Sequence, residues 1–270
     1  MNEIWLYTIA STLLISALSF SGALFLTLNT QVLKRLVFIL VSFAVGALFG
    51  NSFFILVPES YSQFENKQLI GLLLIGGLLL MFILEKFIHW RHNHTLNKTH
   101  QHAPMGYVSL VTDSLHNFTD GILIAAAWLS SPEAGAATTL AVILHEVPQE
   151  ISDFGVLIQA GFSKKRALLM NFLSACTSVL GAVLTLWIGN SIGNVSTYIL
   201  PLAAGGFIYL AGSDLIPELH KEKSNKKNLL QLSAIVLGLM LMFYISLNHT
   251  HDHNPKPNQT EHTDHSDHNH

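Results

Sequence analysis

The sequence predicts an all-α membrane protein of eight transmembrane helices with both termini outside. Three observations carry that expectation: a low charge content, a series of apolar runs of spanning length, and a one-sided distribution of basic residues. The 270 residues are 50% hydrophobic and 11% charged, with mean hydropathy +0.43. A soluble domain carries roughly 25% charged residues. The net charge of −3 speaks against a nucleic-acid partner and is better read loop by loop. The one cysteine, Cys176, excludes an internal disulfide and a thiolate cluster. The opening MNEIWLYTIASTLL has no basic stretch before its long apolar run, so it reads as a first membrane helix, not a cleaved leader.

A span needs about 20 apolar residues. Such runs cover residues 4–26, 36–58, 68–88, 106–129, 134–160, 166–190, 195–218 and 229–247. The fourth and fifth contain acids, but their other residues are almost all apolar. Gly205, Gly206 and Gly212 loosen the seventh. Basic residues test the topology. Lys34 and Arg35 follow the first span; Lys86, Arg91 and Lys98 the third; Lys164, Lys165 and Arg166 the fifth; Lys221, Lys223, Lys226 and Lys227 the seventh. Only Lys67 and Lys256 fall on the other side. Lys and Arg concentrate in cytoplasmic loops, so eight spans with external termini fit, whereas seven or nine would scramble the alternation. The expected location is the plasma membrane, or the inner membrane of a Gram-negative cell.

The organisation is then a transmembrane domain over 1–248 and a tail over 249–270. The loop 89–105 carries His92, His94, His100 and His102, and the tail carries His251, His253, His265 and His268 among others. Both are low-complexity, expected to be disordered. Tethered imidazoles suit accessory metal capture; the plainer reading is a solvated linker and tail. A faint repeat links the second and seventh spans. Gly46 leads to Pro58-Glu59, and Gly205 leads at the same spacing to Pro217-Glu218, in helices of opposite direction. Inverted repeats are a transporter habit.

The chemistry sits in the fourth and fifth spans. They contain His116-Asn117-Phe118-Thr119-Asp120-Gly121 and His145-Glu146-Val147-Pro148-Gln149-Glu150. An ionised carboxylate at the centre of a membrane helix costs about 2.5–3.5 kcal/mol, and Asp113, Asp120, Glu146, Glu150 and Asp153 share these two spans. Positions three and four apart share a helix face. Asp113, His116, Asn117 and Asp120 fit one stripe. His145 and Gln149 fit a second, with Glu146, Glu150 and Asp153 beside them. Facing stripes would make a cage of imidazole nitrogens and carboxylate oxygens. That donor set suits Zn²⁺, Fe²⁺ or Mn²⁺ and lacks the sulfur that selects Cu⁺. Several carboxylates would hold two cations, or one cation moving between two positions. Pro148 lacks an N–H and frees the carbonyl of Leu144 beside that path.

Plainer roles are weighed for each. Polar groups in membranes also serve as glue between helices, but glue rarely needs five carboxylates. Asp113 lies near a helix end. Asp214 and Glu218 would cap the seventh helix or line an exit path. Glu59 and Glu85 read as interfacial, Cys176 and Met170 as packing, and Asn171 and Ser174 as glue or support.

The motifs HNFTDG and HEVPQE resemble the HNxxDG and HExPHE motifs of the ZIP family of divalent-metal transporters. The continuation ISDFGVLIQAGFSKKRAL and the His-rich loop are similar as well, and the likeness covers nearly the whole chain before the tail. It implies a 3+2+3 helix bundle with helices 1–3 and 6–8 related by inversion. It implies a binuclear metal centre between helices 4 and 5, with His116, Asn117, Asp120, His145, Glu146 and the residue at Gln149 as ligands. Gln149 departs from the motif, and a neutral amide binds transition metals more weakly than imidazole. Members often carry Asp and His in helix 2, where this chain has Asn51 and Phe54; an outer relay site is in doubt there.

The expected function is therefore import of Zn²⁺, with Fe²⁺, Mn²⁺ and Cd²⁺ as further candidates, carried as cargo with no cofactor. The partners are the metal ion and the lipid bilayer; a homodimer is compatible with the sequence. A selective channel using the same residues is the first alternative, and an intramembrane zinc hydrolase the second. The hydrolase signature H-E-x-x-H fails at Gln149. A metal sensor would need an output domain.

Deleting the tail from His249 should leave maximal flux nearly intact and reduce uptake at scarce metal, because tethered histidines raise local metal concentration. The benefit should fade at pH 5.5, below the ordinary imidazole pKa of about 6.5. Uptake against metal concentration at pH 7.5 and 5.5 checks this. An equal loss at every concentration and both pH values would make the tail a folding or trafficking element.

Overall fold

The computed structural model describes the backbone of residues 2–95, 102–191 and 195–249, and the side chains of 2–86, 106–189 and 197–247. The histidine-rich tail and the side chains of His92, His94, His100 and His102 lie outside these residues. Among the described residues there is no strand.

Eight long helical units follow one another. They are α1 (Asn2–Thr27), α2 (Thr30–Gln63), α3 (Lys67–Thr95), α4 (His102–Ser130) and α5 (Pro132–Gln159). Next come α6 in two pieces (Lys164–Ala175 and Thr177–Ser191), α7 (Val195–Tyr209 continuing through Leu210–Leu215 and Ile216–Leu219) and α8 (Asn225–His249). Units α1, α2, α3, α6, α7 and α8 contain stretches long and apolar enough to cross a membrane. α4 and α5 are of similar length, 29 and 28 residues, and carry the polar stripes.

Local chemistry sets the ends. Asn29 accepts a hydrogen bond from the Gln31 N–H and caps α2. Ser131 caps α5 by accepting from Ala134 N–H, with Pro132 in the first turn, where its missing N–H costs nothing. Ser163 caps α6, and Gly161, at φ +89°, turns the chain before it. The Asn29 cap starts α2 at Thr30, not at 36, so Lys34 and Arg35 lie in its first turns and not in a loop. The stretch 89–105 was expected to be disordered, yet α3 runs on to Thr95 and α4 begins at His102. Helix propagation needs one bond per residue once a span has nucleated it, and no Gly or Pro intervenes before Pro104.

Chain direction alternates as expected. Gln63 at the end of α2 bonds Ser130 at the end of α4. At the opposite end, Arg166 donates to the Tyr107 hydroxyl, and Phe162 packs on Tyr107. That end holds Lys34, Arg35, Arg166 and Lys221, and is called the basic end below.

Close packing sorts the helices into two groups, α1/α4/α5/α6 and α2/α3/α7/α8. A Cβ placed on Gly46 would lie 2.0 Å from the Ile235 carbonyl oxygen, and one on Gly238 2.3 Å from that of Phe43, so α2 and α8 touch backbone to backbone. The pair α7/α3 repeats this. Gly205 meets the Leu74 oxygen at 2.0 Å and Gly77 the Leu202 oxygen at 2.0 Å. Each contact thus has the same reciprocal three-residue spacing. The glycine at 205 therefore tightens α7 against α3; it does not loosen the helix. In the other group Gly121 meets the Ser178 oxygen and Gly181 that of Phe118, joining α4 to α6. Every described glycine that presses on another helix does so within its own group. Between the groups, α2 packs on α5 and α7 on α4. The core there is rich in small apolar residues, among them Ala47, Ala137, Ala141, Ala203 and Ala204.

α2 and α7 share one more feature. Each contains a π-helical turn, Ser52–Leu56 and Leu210–Leu215, just before its Pro-Glu pair. Such wide turns in α-helices often lie at functional sites.

Gly205→Ala should lower the thermal stability of the purified protein by about 1–3 kcal/mol, because the added methyl meets backbone that cannot rotate away. Gly71, whose Cβ would meet nothing within 4 Å, is the control. Gly71→Ala should hold or raise stability, by up to about 1 kcal/mol. Equal melting of both variants would refute the contact.

Candidate metal centre

The polar stripes of α4 and α5 meet midway along both helices. His116 and Asp120 are one turn apart on α4, and His145 and Glu146 are adjacent on α5. Each contributes one ligand-type atom to a cluster in which all four atoms lie within 4.8 Å of one another. The two Nε2 atoms are 3.4 Å apart. Asp120 Oδ2 lies 3.1 Å from His145 Nε2 and 3.7 Å from His116 Nε2. Glu146 Oε1 lies 3.4 Å from His116 Nε2 and 3.7 Å from His145 Nε2. A tetrahedral ion with bonds of about 2.0–2.1 Å places its donors about 3.3 Å apart. The observed separations bracket that value, so these atoms could hold Zn²⁺ with little rearrangement.

The surroundings orient the donors. His145 Nδ1 is 3.1 Å from the carbonyl oxygen of Ala141. A carbonyl can only accept, so this bond requires the proton on Nδ1; the protonated ring pairs with Asp120 through Nε2, and the neutral ring turns its Nε2 lone pair to a metal. The ring of Phe207, on α7, stands edge-on to His145 at 6.4 Å. Asp120, His145 and Glu146 are buried; the His116 side chain retains 13% exposure. His116 lines a cavity of about 100 Å³ between α3, α4 and α7, together with Glu85, Tyr209 and Asp214. The Tyr209 hydroxyl donates to Glu85 at 2.5 Å.

A second polar layer continues toward the basic end. Asn117 turns its amide to Asp113, donating to Oδ1 at 3.0 Å. Glu150 accepts a hydrogen bond from the Asn171 amide on α6. Asp153 accepts from Ser109 at 3.2 Å. Both Glu146 oxygens, Asp113 Oδ2, Asn117 Oδ1, Glu150 Oε1 and Asn171 Oδ1 are buried without a hydrogen bond. So many unsatisfied acceptors are costly unless a cation or water occupies the space between them.

Of the residues singled out in the sequence, four converge: His116, Asp120, His145 and Glu146. Asn117 and Glu150 belong to the second layer with Asp113 and Asp153. Gln149 follows His145 by one turn and is half-buried. Asn51 lies on the other group and donates to Thr138 of α5 at 3.1 Å. Asp214 lines the cavity at His116, whereas Glu218 pairs with Lys221. Two acids read as interfacial lie near the ends of their spans and also take part in packing: Glu59 is nearly buried and accepts from Gln63 and Ser130, and Glu85 lines the cavity. Sequence reading missed Thr138, although a polar residue two turns before His145 was a usable signal. Phe207 and Tyr209 gave no local signal, because their contacts come from a helix distant in sequence.

Comparison with known proteins agrees with this chemistry. The family model for the ZIP zinc transporter matches residues 2–103 and 90–246. Zinc transporter ZIP13 of Pongo abelii is 32% identical over 223 residues, covering 77% of this chain and 66% of its own. Zinc transporter zipt-7.2 of Caenorhabditis elegans is 29% identical, covering 91% and 66%. Zinc transporter SLC39A7 of Canis lupus familiaris is 28% identical, covering 90% and 71%. The chain spans about two thirds of the length of these relatives. With family-model matches running along nearly all of its described length, the chain belongs to the ZIP zinc transporter family.

Proposed function

We propose that this chain carries divalent transition-metal ions, Zn²⁺ foremost, across a membrane into the cytoplasm by alternating access. The observation that carries the reading is the buried four-donor cluster halfway along α4 and α5, at tetrahedral spacing, with a cavity reaching one ligand. His116, Asp120, His145 and Glu146 are the first ligands. The buried oxygens of Glu146, Glu150, Asn117 and Asp113, left without hydrogen bonds, would be drawn together as a second, all-oxygen position, with Gln149 as its weak member. One ion in each position, or one ion stepping between them, would satisfy the acceptors left unpaired. Fe²⁺, Mn²⁺ and Cd²⁺ are further cargo of the same donor chemistry. Binding must be strong enough to admit the ion and weak enough to release it. Protonation of Asp120 or Glu146 would weaken it.

On this reading α4 and α5 cross the bilayer with the other six helices. Their polar faces turn to each other, which removes the penalty that their composition suggests. The basic end is cytoplasmic, both termini are external, and the membrane is the plasma membrane. The reciprocal glycine contacts of α2/α8 and α7/α3, and the paired π-turns, support an inverted repeat in a 3+2+3 bundle. The two groups of helices are the bodies that move. The four ligands and second layer all lie in α1/α4/α5/α6, and the Ala-rich face between the groups has little to interlock. Glu85 and Asp214, at the cavity on His116, lie on the release side.

His145→Ala or Asp120→Ala should cut Zn²⁺ flux into proteoliposomes by more than roughly tenfold, with the protein still folded by circular dichroism. Well-folded variants with near-normal flux would sink the assignment. Flux with no hydrolytic activity separates transport from the enzyme reading, and saturation at high metal separates a carrier from a channel.

Gln149→His should tighten metal binding, since imidazole replaces a neutral amide beside the site. Calorimetric titration of the purified variant should give a lower dissociation constant. An unchanged value would mean that residue 149 faces away from the ion.

A further inference from the structure

We propose that Glu59, Gln63 and Ser130 form a clasp that locks the two helix groups together at the end opposite the basic loops, and that it must open for metal to enter from that side. The proposal rests on the transport reading above. Gln63 Nε2 donates to Glu59 Oε1 at 2.9 Å and to Ser130 Oγ at 2.7 Å. Ser130 Oγ donates to the same Glu59 oxygen at 3.1 Å. The three side chains close a ring that joins α2 to α4.

What singles the ring out is where the other bonds run. Among the described residues, side-chain hydrogen bonds between helices otherwise stay inside one group, Asn51–Thr138 apart. Ser114 and Ser174 join α4 to α6, Asn171 joins α6 to α5, Trp128 joins α4 to α1, Tyr209 joins α7 to α3, and Gln231 joins α8 to α7. Among the described residues, the groups are bridged by side-chain bonds at two places only, the ring and Asn51–Thr138. Both are on the half away from the basic end. Toward the basic end the groups are parted by a groove of about 360 Å³, between Phe25 and Ile151 on one side and Leu33, Lys34 and Glu218 on the other.

The repeat sharpens the asymmetry. Glu59 and Gln63 of α2 correspond, at the spacing that matches Gly46 to Gly205, to Glu218 and Glu222. Those two do not reach across. Glu218 pairs with Lys221 and Glu222 with Lys227, within their own group. Among the described residues, the same motif therefore clasps one end of the interface and does not clasp the other. The geometry is that of a carrier closed on the clasp side and parted on the basic side.

The test uses the full chain in a Cys176→Ser background, which removes the one native thiol. In the first arm Thr138→Cys, buried at the interface, is labelled with a membrane-impermeant maleimide from the clasp side. Adding Ser130→Ala and Gln63→Leu should speed labelling about fivefold or more, as expected for the loss of one or two hydrogen bonds. An unchanged rate overturns the clasp. In the second arm Gln63→Cys and Ser130→Cys are joined by a short bifunctional thiosulfonate in proteoliposomes. Zn²⁺ flux should stop on joining and return with reductant. Failure of the two positions to join, or flux that persists once joined, overturns the proposal. If the unjoined protein carries no Zn²⁺, Fe²⁺, Mn²⁺ or Cd²⁺, the transport reading fails, while the labelling rate still decides whether the clasp holds the groups.

Discussion

Everything in this molecule is arranged around carboxylates buried among apolar helices. Asp120 and Glu146 lie midway along helices whose neighbours are apolar, and neither reaches water. An isolated charge there would shift the balance against insertion. The structure lowers that cost by bringing two imidazoles, which offset the charge when protonated, within 3.1–3.7 Å of the two acids. The pairing is incomplete, since both Glu146 oxygens still lack a hydrogen bond. Complete pairing within the protein would leave nothing to attract an ion, and poorer pairing would prevent the helices from packing. A cation site inside a membrane lives between those limits.

Holding such a cluster requires rigid supports, and the supports are backbone contacts. Without a hydrophobic drive between helices in lipid, association depends on close packing and polar bonds. Gly121 and Gly181 let α4 and α6 touch, and Ser114, Ser174 and Thr177 bond across the same seam. The Ala141 carbonyl then fixes His145, and Asn171 holds Glu150. The candidate ligands and their supports lie in one group of helices. The second group is knitted by its own glycines and meets the first over alanines. Strong internal seams and a smooth shared face are what two bodies need if they are to shift without deforming the ligand shell.

The same helix design is used twice with different endings. α2 and α7 share the glycine contact, the π-turn and the Pro-Glu pair. Beyond that pair, α2 offers a glutamine facing a serine of the other group, while α7 is followed by lysines that draw its acids aside. On the transport reading, near-symmetry of the frame would bring two states close in energy, and the unlike endings would bias which state is favoured.

The sequence by itself determined the all-helical class of the fold, the alternation of helix ends and the set of candidate donor residues. Those features are local: apolar run length, the placement of lysines and arginines, and i, i+4 spacing on a helix are all written in short stretches of chain. Spacing put His116 and Asp120 on one stripe with Asp113 and Asn117, and His145 on another with Gln149, with Glu146, Glu150 and Asp153 beside it. Tertiary structure separated the layers: the Asn117 amide is turned to Asp113, and Asn171 arrives from α6 to take Glu150. It likewise gave Glu59 a place in a bridge between helices and turned Gly205 from a loosening residue into a point of contact. Such outcomes depend on which residue of a distant helix stands opposite, at distances of 2–4 Å. No periodicity in one helix encodes the rotation of its neighbour, so only the packed bundle could decide them.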